Sequence, residues 1–129
     1  MNRFLLILAC CAAAPAAAEV PQRILAGLMA DAGGRASPLQ GEKLFRGKFS
    51  GGKSAACCGD CHGDDAKLPG RHNQSQQTIN PLAPVAQGNR FSDAARVEQG
   101  FRRDCPEVLG RACTPREKAD FTAYMISVR

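Results

Sequence analysis

One short run of residues constrains this chain more than any other feature: the sequence CGDCH at positions 58–62. Two thiols about one helical turn apart can each add to a vinyl group of the same porphyrin, and the adjoining histidine then faces the iron. The spacing therefore predicts covalent attachment of a c-type haem through Cys58 and Cys61, with His62 as the proximal iron ligand. Because the motif occurs once, we expect one haem c per chain.

The same cysteines allow other interpretations, which the surrounding sequence disfavours. A thiol-disulfide oxidoreductase using Cys58 and Cys61 needs a strand before the C-x-x-C pair, whereas residues 50–56 are Ser, Gly, Lys and Ala. A zinc site needs a fourth ligand beyond these two thiols and His62, and no second C-x-x-C or H-x-x-x-H follows. A disulfide within the pair would close a very short, strained loop. The oxidoreductase stays as the alternative from a different functional class.

Aromatic residues are scarce in a chain that must still bury a core. Among 129 residues there is no Trp, one Tyr and six Phe, yet there are seven Cys. Aromatic side chains usually dominate the cores of small domains, so we expect a bound haem to supply the missing apolar surface. The length allows one domain. We predict an all-α fold in which short helices wrap around one covalently attached haem.

The N-terminus has the organisation of a secretory signal peptide. A positively charged start precedes an apolar run over residues 4–11, and a small-residue zone ends in an A-x-A site at Ala16 and Ala18. Cleavage there divides the chain into a signal peptide over residues 1–18 and a haem domain over residues 19–129. The apolar run is too short to span a bilayer, so no membrane insertion is expected after cleavage. We predict an exported, soluble protein of the periplasm, where disulfides persist.

Charge constrains the partners of the protein. The formal net charge is +5, and it is spread along the sequence without a basic cluster that interleaves with aromatic residues. Together with export, this pattern argues against nucleic acid as a partner. It suits docking to an acidic redox partner such as another cytochrome, or simply a solvated surface.

Local signals predict four helices around the motif. They cover residues 21–32, 38–48, 92–103 and a stretch that starts at residue 115. The last has the clearest start, because Thr114, Pro115 and Glu117 form a capping box with proline at the first helical position. Gly41 in the second helix permits a close crossing with the apolar face of the last. The residues of that face are Phe121, Tyr124, Met125 and Val128.

The segments between the motif and the last helix are less regular. Ser92 is the expected N-cap of the third predicted helix, with Ala95, Val97 and Phe101 as its buried positions. Residues 63–90 are rich in polar side chains and show no sustained period. A loop this long fits a compact domain only if it wraps around an edge of the haem.

Four stretches of the sequence resemble a known family of small high-spin class I cytochromes c, the sphaeroides haem protein or SHP family. They are CGDCHG at 58–63, INPLAP at 79–84, RFSDAARVEQGFRRDC at 90–105 and VLGRACTPREKADF at 108–121. The resemblance implies a cytochrome c fold with His62 as the proximal ligand. It also implies a disulfide that maps onto Cys105 and Cys113, and transient binding of oxygen or nitric oxide at the iron.

The sequence departs from the family pattern at Asp104. In the family, an asparagine directly before the first disulfide cysteine ligates ferric iron and leaves on reduction. A hard, anionic carboxylate prefers ferric over ferrous iron more strongly, so Asp104 is expected to lower the reduction potential as a weak, redox-dependent sixth ligand or to hold a ligating water. The alternative is a surface carboxylate paired with Arg102 or Arg103.

His72 is the main rival for the sixth position. If it reaches the distal face, the haem is low-spin and six-coordinate, and the protein is a plain electron carrier. Met29 and Met125 lie on helical stripes, where methionine is more often part of a core. There is no methionine between His62 and Met125, where a class I carrier would place its ligand, and this favours a weak or open sixth position.

The cysteine count leaves one residue unassigned. With Cys58 and Cys61 on the haem, and with Cys105 and Cys113 bridged, Cys57 remains in the mature chain. It can compete with Cys58 for a haem vinyl group, act as an exposed thiol, or be an incidental small residue.

The sequence as a whole favours an exported monohaem cytochrome with an exchangeable distal ligand. Its expected roles are one-electron transfer with a partner cytochrome and transient binding of oxygen or nitric oxide at ferrous haem, with carbon monoxide as a further diatomic ligand. A plain low-spin carrier with His72 or Asp104 as a permanent ligand is the alternative. No dedicated acid-base pair is evident, so the sequence indicates an electron carrier and ligand-binding protein rather than a dedicated enzyme.

Overall fold

The computed structural model describes residues 16–129. The fold is mainly helical, with α1 Ala16–Asp31, α2 Pro38–Arg46, α3 Gly59–His62, β1 Gly70–Arg71, β2 Thr78–Ile79, α4 Ala94–Leu109 and α5 Pro115–Ser127. The predicted signal peptide lies almost wholly outside the described residues, and cleavage after Ala18 stays a prediction. Helix α1 begins earlier than predicted, because alanine has the highest helix propensity and extends the helix ahead of Pro21. None of the described helices has the length and hydropathy needed to cross a membrane.

Helix α2 has a side-chain cap that was not predicted, and the predicted cap of α5 is present. The Ser37 hydroxyl accepts a hydrogen bond from the Gln40 N–H at 3.3 Å, which starts α2. At α5 the Thr114 hydroxyl accepts from the Glu117 N–H at 3.2 Å, and the Glu117 carboxylate accepts from the Thr114 N–H at 2.8 Å. This reciprocal pair is the predicted capping box.

The prediction for α4 was wrong at both ends. Asp93, and not Ser92, is the N-cap, because its carboxylate accepts from the Arg96 N–H at 2.8 Å while the Ser92 hydroxyl donates to the Asn89 carbonyl. The helix also continues beyond Arg103 and ends at Gly110, which has the left-handed conformation with φ 73°.

Burial along α4 follows the predicted stripe only in part. Phe101 is buried and Val97 partly buried as predicted, but Ala95 is exposed. Val97 and Phe101 are four residues apart and share one face of the helix, whereas Ala95, two residues before Val97, lies on a different face. The longer helix places Asp104 and Cys105 within α4 rather than in the loop after it.

Helix α5 crosses α2 at Gly41, as predicted. A Cβ at Gly41 would overlap the Asp120 carbonyl and would lie 2.8 Å from the Tyr124 Cβ, so only glycine allows this approach. The Phe45 and Tyr124 rings pack next to the crossing with centroids 5.8 Å apart. The Asp120 carboxylate also accepts a hydrogen bond from the Ser37 N–H at 2.7 Å, which ties the start of α2 to α5.

Gly41→Ala is expected to lower the free energy of unfolding of the haem-loaded protein by about 1–3 kcal/mol, because the added methyl group forces α2 and α5 apart. Gly27→Ala on α1 is the matched control: a Cβ there meets no atom within 4 Å, and the change is expected to stabilise by about 0.4–1 kcal/mol. Denaturant unfolding followed by circular dichroism measures both. Equal behaviour of the two variants would contradict the close crossing.

The loop over residues 63–90 contains one small element that was not predicted. Strands β1 and β2 form an antiparallel pair of two residues each, too short to leave a period in the sequence. The Ala66 carbonyl accepts hydrogen bonds from the N–H groups of Leu82 at 2.9 Å and Ala83 at 3.0 Å. These bonds fold the end of the loop back against its beginning.

The protein core contains few large side chains. Its buried cluster consists of Phe45, Ala66, Ala83, Phe91 and Met125. Of the described apolar residues, only Phe45 and Met125 are both large and fully buried. The side chains alone therefore provide a small core, as the scarcity of aromatic residues predicts.

Candidate haem site

The C-x-x-C-H motif forms a single helical turn, α3. The N–H groups of Cys61 and His62 donate to the Cys58 carbonyl at 3.3 and 3.0 Å, so the turn begins at the first motif cysteine. Gly63, with φ 69°, ends the turn in a conformation that L side chains rarely adopt. The turn places two thiols and an imidazole on one short rigid piece.

The His62 imidazole is in the state that binds a metal ion. Burial lowers the pKa of His62 to about 4, against a smaller raising effect of Asp104. The ring is therefore neutral at pH 7, and a neutral imidazole nitrogen is a good ligand for iron. Its Nδ1 atom is buried and has no hydrogen-bond partner among the described residues. A buried polar atom without a partner is costly, and such atoms concentrate at functional sites.

The cysteines of the motif occupy different surroundings. All three of Cys57, Cys58 and Cys61 are free thiols. Cys58 packs against the buried cluster, and burial raises its pKa to about 12. The Cys61 sulfur accepts a hydrogen bond from the Asn73 N–H at 3.3 Å. Two free thiols one turn apart beside a neutral imidazole are the donor set that a covalently attached haem requires, so the residues present fit this group.

Asp104 lies near this donor set but is paired with its neighbour on α4. Its carboxylate accepts from the Arg103 guanidinium through two bonds, Nε–Oδ1 at 2.6 Å and Nη2–Oδ2 at 3.0 Å. The Asp104 side chain is 55% exposed. Its negative charge opposes the lowering of the His62 pKa by burial and adds to the raising of the Cys58 pKa by burial.

His72 is held in the loop between β1 and β2. Its backbone N–H donates to the Gln77 carbonyl at 2.8 Å, and its ring Nδ1 accepts from the Ser75 N–H at 3.1 Å. Both bonds keep the imidazole within its own turn.

The predicted disulfide between Cys105 and Cys113 is present, with its Cα atoms 5.6 Å apart. It connects the last turns of α4 to the residue before the α5 N-cap. A bridge that closes a loop of this length stabilises by about 2–3 kcal/mol in the chain-entropy model. It also fixes the backbone next to Asp104 relative to α5.

An ion pair strengthens the start of α5 beside the disulfide. Arg111 Nη2 lies 2.7 Å from Glu117 Oε1. This guanidinium, together with the capping N–H of Thr114, lowers the pKa of Glu117 to about 2. The capping carboxylate is therefore ionised at neutral pH.

Arg90 is a site residue that sequence reasoning missed. Its Nε donates to the Pro81 carbonyl at 2.7 Å and its Nη2 to the Asn80 carbonyl at 3.1 Å. Burial lowers its pKa, and Asp104 is the nearby charge that opposes this. The two backbone bonds leave part of the guanidinium for an anionic group. Its neighbours in sequence are Asn89 and the buried Phe91, and they gave no signal of this role.

The chain matches one family model and two characterised proteins. Residues 31–125 match a family described as a domain of unknown function, DUF1924. The chain is 41% identical over 127 residues to the cytochrome c-type protein SHP of Cereibacter sphaeroides, covering 97% of this chain and 98% of the relative. It is 38% identical over 93 residues to cytochrome c'' of Methylophilus methylotrophus, covering 70% of this chain and 64% of the relative.

Solved structures of the same two proteins match the fold. A structure of oxidised SHP, described as an oxygen-binding cytochrome c, gives a TM-score of 0.77 at 42% identity and covers 81% of this chain and 94% of that one. The crystal structure of oxidised cytochrome c'' from Methylophilus methylotrophus gives 0.76 at 28% identity, covering 87% and 97%. The predicted all-α cytochrome c fold is confirmed. The chain therefore belongs to the SHP family of c-type cytochromes and carries one covalently attached haem c.

Proposed function

We propose that this protein is an exported, periplasmic cytochrome that transfers single electrons and transiently binds oxygen or nitric oxide at ferrous haem. In this proposal a partner cytochrome reduces it, and a weak sixth ligand exchanges with the oxidation state. The observation that carries the proposal is the position of Asp104, a carboxylate within electrostatic range of His62 but paired with Arg103. The description of SHP as an oxygen-binding cytochrome c supports the gas-binding part.

The attachment residues follow from the donor set. Cys58 and Cys61 form the two thioether bonds, and His62 is the proximal ligand. The half-buried Arg90 guanidinium would hold a haem propionate, since a buried cation needs an anionic partner. A haem held by these residues supplies an iron that cycles between the ferric and ferrous states and offers a sixth position for a small ligand.

The carboxylate of Asp104 has two places in this proposal. One is the sixth position, where ferric iron attracts it more strongly than ferrous iron does. The other is Arg103, which binds both of its oxygens. Because the two places compete, Arg103 would hold the Asp104 carboxylate when the iron is ferrous, and the sixth position would then be free for a small ligand. The relative cytochrome c'' has a solution structure described as giving insight into the structural basis of haem-ligand detachment, which supports an exchangeable ligand in this chain.

The alternatives are less well supported. A permanent His72 ligand would require the imidazole to leave its bond with Ser75 and the turn held by Gln77. The oxidoreductase interpretation needs a strand before Cys58, and residues 49–57 are without one. A permanent Asp104 ligand differs from the proposal only in the strength of the bond, which the next experiment measures.

Optical spectra of the oxidised and dithionite-reduced protein, with and without carbon monoxide, test the proposed function. We expect a high-spin spectrum after reduction and a clear change when carbon monoxide is added, because the sixth position is then open. His72→Ala is expected to leave every spectrum unchanged. A low-spin ferrous spectrum that carbon monoxide does not alter would contradict the proposal and favour a plain electron carrier.

A further inference from the structure

The motif of this chain offers the haem three thiols for two vinyl groups. Cys57 directly precedes Cys58, so Cys57 with Cys61 and Cys58 with Cys61 are both pairs about one helical turn apart. All three are free in the structure. A protein that carries its haem in one orientation has to distinguish between the two neighbouring thiols.

One side chain, that of Asp60, holds the extra thiol. Its Oδ1 accepts a hydrogen bond from the Cys57 Sγ at 3.3 Å. Its Oδ2 accepts from the backbone N–H groups of Ala56 at 2.7 Å and Cys57 at 3.2 Å. The carboxylate therefore binds both the backbone and the side chain of Cys57, and so fixes the side-chain direction as well as the turn.

The neighbouring thiol has the opposite environment. Cys58 packs against the buried apolar cluster, which is where an apolar porphyrin would lie. Cys57 is bonded instead to Asp60, an exposed residue at the surface of α3. The two adjacent cysteines thus present their sulfur atoms to different surroundings.

We propose that Asp60 is the positioning residue that selects the attachment thiols, because it holds Cys57 away from the apolar cluster and leaves Cys58 and Cys61 to react. This inference rests on the proposed attachment through Cys58 and Cys61. In each addition the sulfur bonds to the inner carbon of a vinyl group and the thiol hydrogen ends on the terminal carbon, so no electrons are gained or lost. Cys57 then remains a free thiol in the mature protein.

Peptide mapping of the matured haem protein tests this inference. Free thiols are blocked with iodoacetamide after unfolding, the protein is digested, and the haem peptide is sequenced by mass spectrometry. The wild-type peptide is expected to carry the block on Cys57 and haem on Cys58 and Cys61. In Asp60→Ala the fraction linked through Cys57, with the block on Cys58, is expected to rise. The expected rise is about fivefold, because losing the net free energy of one hydrogen bond shifts an equilibrium by roughly that factor.

Control variants separate selection from folding. Asp60→Asn keeps an oxygen for the backbone N–H groups but presents an NH2 group, which cannot accept the Cys57 S–H, so its Cys57-linked fraction is expected to rise as in Asp60→Ala. Asp64→Ala, which removes an exposed carboxylate just after the same turn, is expected to give the wild-type peptide. In Cys57→Ser,Asp60→Ala the rival thiol is absent, so haem is expected on Cys58 and Cys61 at the wild-type yield.

Two results would overturn the inference. The first is a wild-type linkage pattern in Asp60→Ala. The second is a drop in haem yield, relative to the wild type, that is equally large in Asp60→Ala and in Cys57→Ser,Asp60→Ala. That result would give Asp60 a folding role only. A wild-type protein with haem linked elsewhere than Cys58 and Cys61 would instead contradict the proposed attachment.

Discussion

The triple variant Cys57→Ser,Cys58→Ser,Cys61→Ser is expected to lose both its covalent haem and its cooperative unfolding transition. The apolar side chains that are large and fully buried in the described part of the chain are Phe45 and Met125. A core this small cannot offset the conformational entropy of a domain of this size, so the haem surface is needed for a single folded state. Haem absorbance after denaturing electrophoresis and thermal circular dichroism measure the two losses.

Cys57→Ser alone is the matched control, because it differs from the triple variant only in the two attachment thiols. It is expected to keep the haem and the wild-type transition. The Cys105–Cys113 disulfide and the crossing of α2 and α5 at Gly41 are unchanged in both proteins, so some helical signal is expected to survive in the triple variant with a broad transition. A sharp transition at the control midpoint without haem would show that the side chains alone form the core.

Features that depend on local chemistry were predictable from the sequence. The α5 capping box needs only Thr114 and Glu117 at the right spacing, and the structure contains it. Gly41 predicted the close crossing because a missing Cβ in a helix often marks a helix contact, and the Asp120 carbonyl occupies that space. The pairing of Cys105 with Cys113 followed from the family resemblance, and the structure contains that bond as well.

The end of α4 was not predictable, because contacts distant in sequence stabilise it. Pro106 usually argues against a helix, since it lacks an N–H and disfavours the helical conformation of the residue before it. The last turn is instead held by the loop before the haem motif. The Glu107 carbonyl accepts from the N–H groups of Lys53 at 2.9 Å and Ser54 at 3.2 Å, and the Ser54 hydroxyl donates to the Glu107 carboxylate at 2.6 Å.

The missed site residues depend on partners that only the folded conformation brings together. Cys58, Cys61 and His62 stand out because their spacing alone carries the chemistry. Asp60 and Arg90 act through the groups they meet in the fold, which are a neighbouring thiol with two N–H groups in one case and two loop carbonyls in the other. Nothing in their own sequence spacing indicates those partners.

Replacing Asp104 with alanine is expected to raise the reduction potential and change the ferric spectrum to that of a more weakly ligated, high-spin haem. Removal of a donor that prefers ferric iron destabilises the oxidised state, by about 59 mV for each tenfold preference lost in a one-electron couple. The ferrous protein is expected to bind carbon monoxide at the wild-type rate, since its sixth position is already open. Spectroelectrochemical titration and stopped-flow mixing with carbon monoxide measure these quantities.

Two further variants separate coordination by Asp104 from its charge. Asp104→Asn removes the same charge but keeps a donor oxygen, so it is expected to retain more of the wild-type ferric spectrum than Asp104→Ala does. Arg103→Gln removes the competing partner and is expected to lower the potential, because the carboxylate then stays longer at the iron. Arg102→Gln is its control, as that exposed guanidinium pairs with Glu98 at 3.3 Å. If Asp104→Ala and Asp104→Asn shared the wild-type ferric spectrum and shifted the potential equally, Asp104 would act only as a nearby charge.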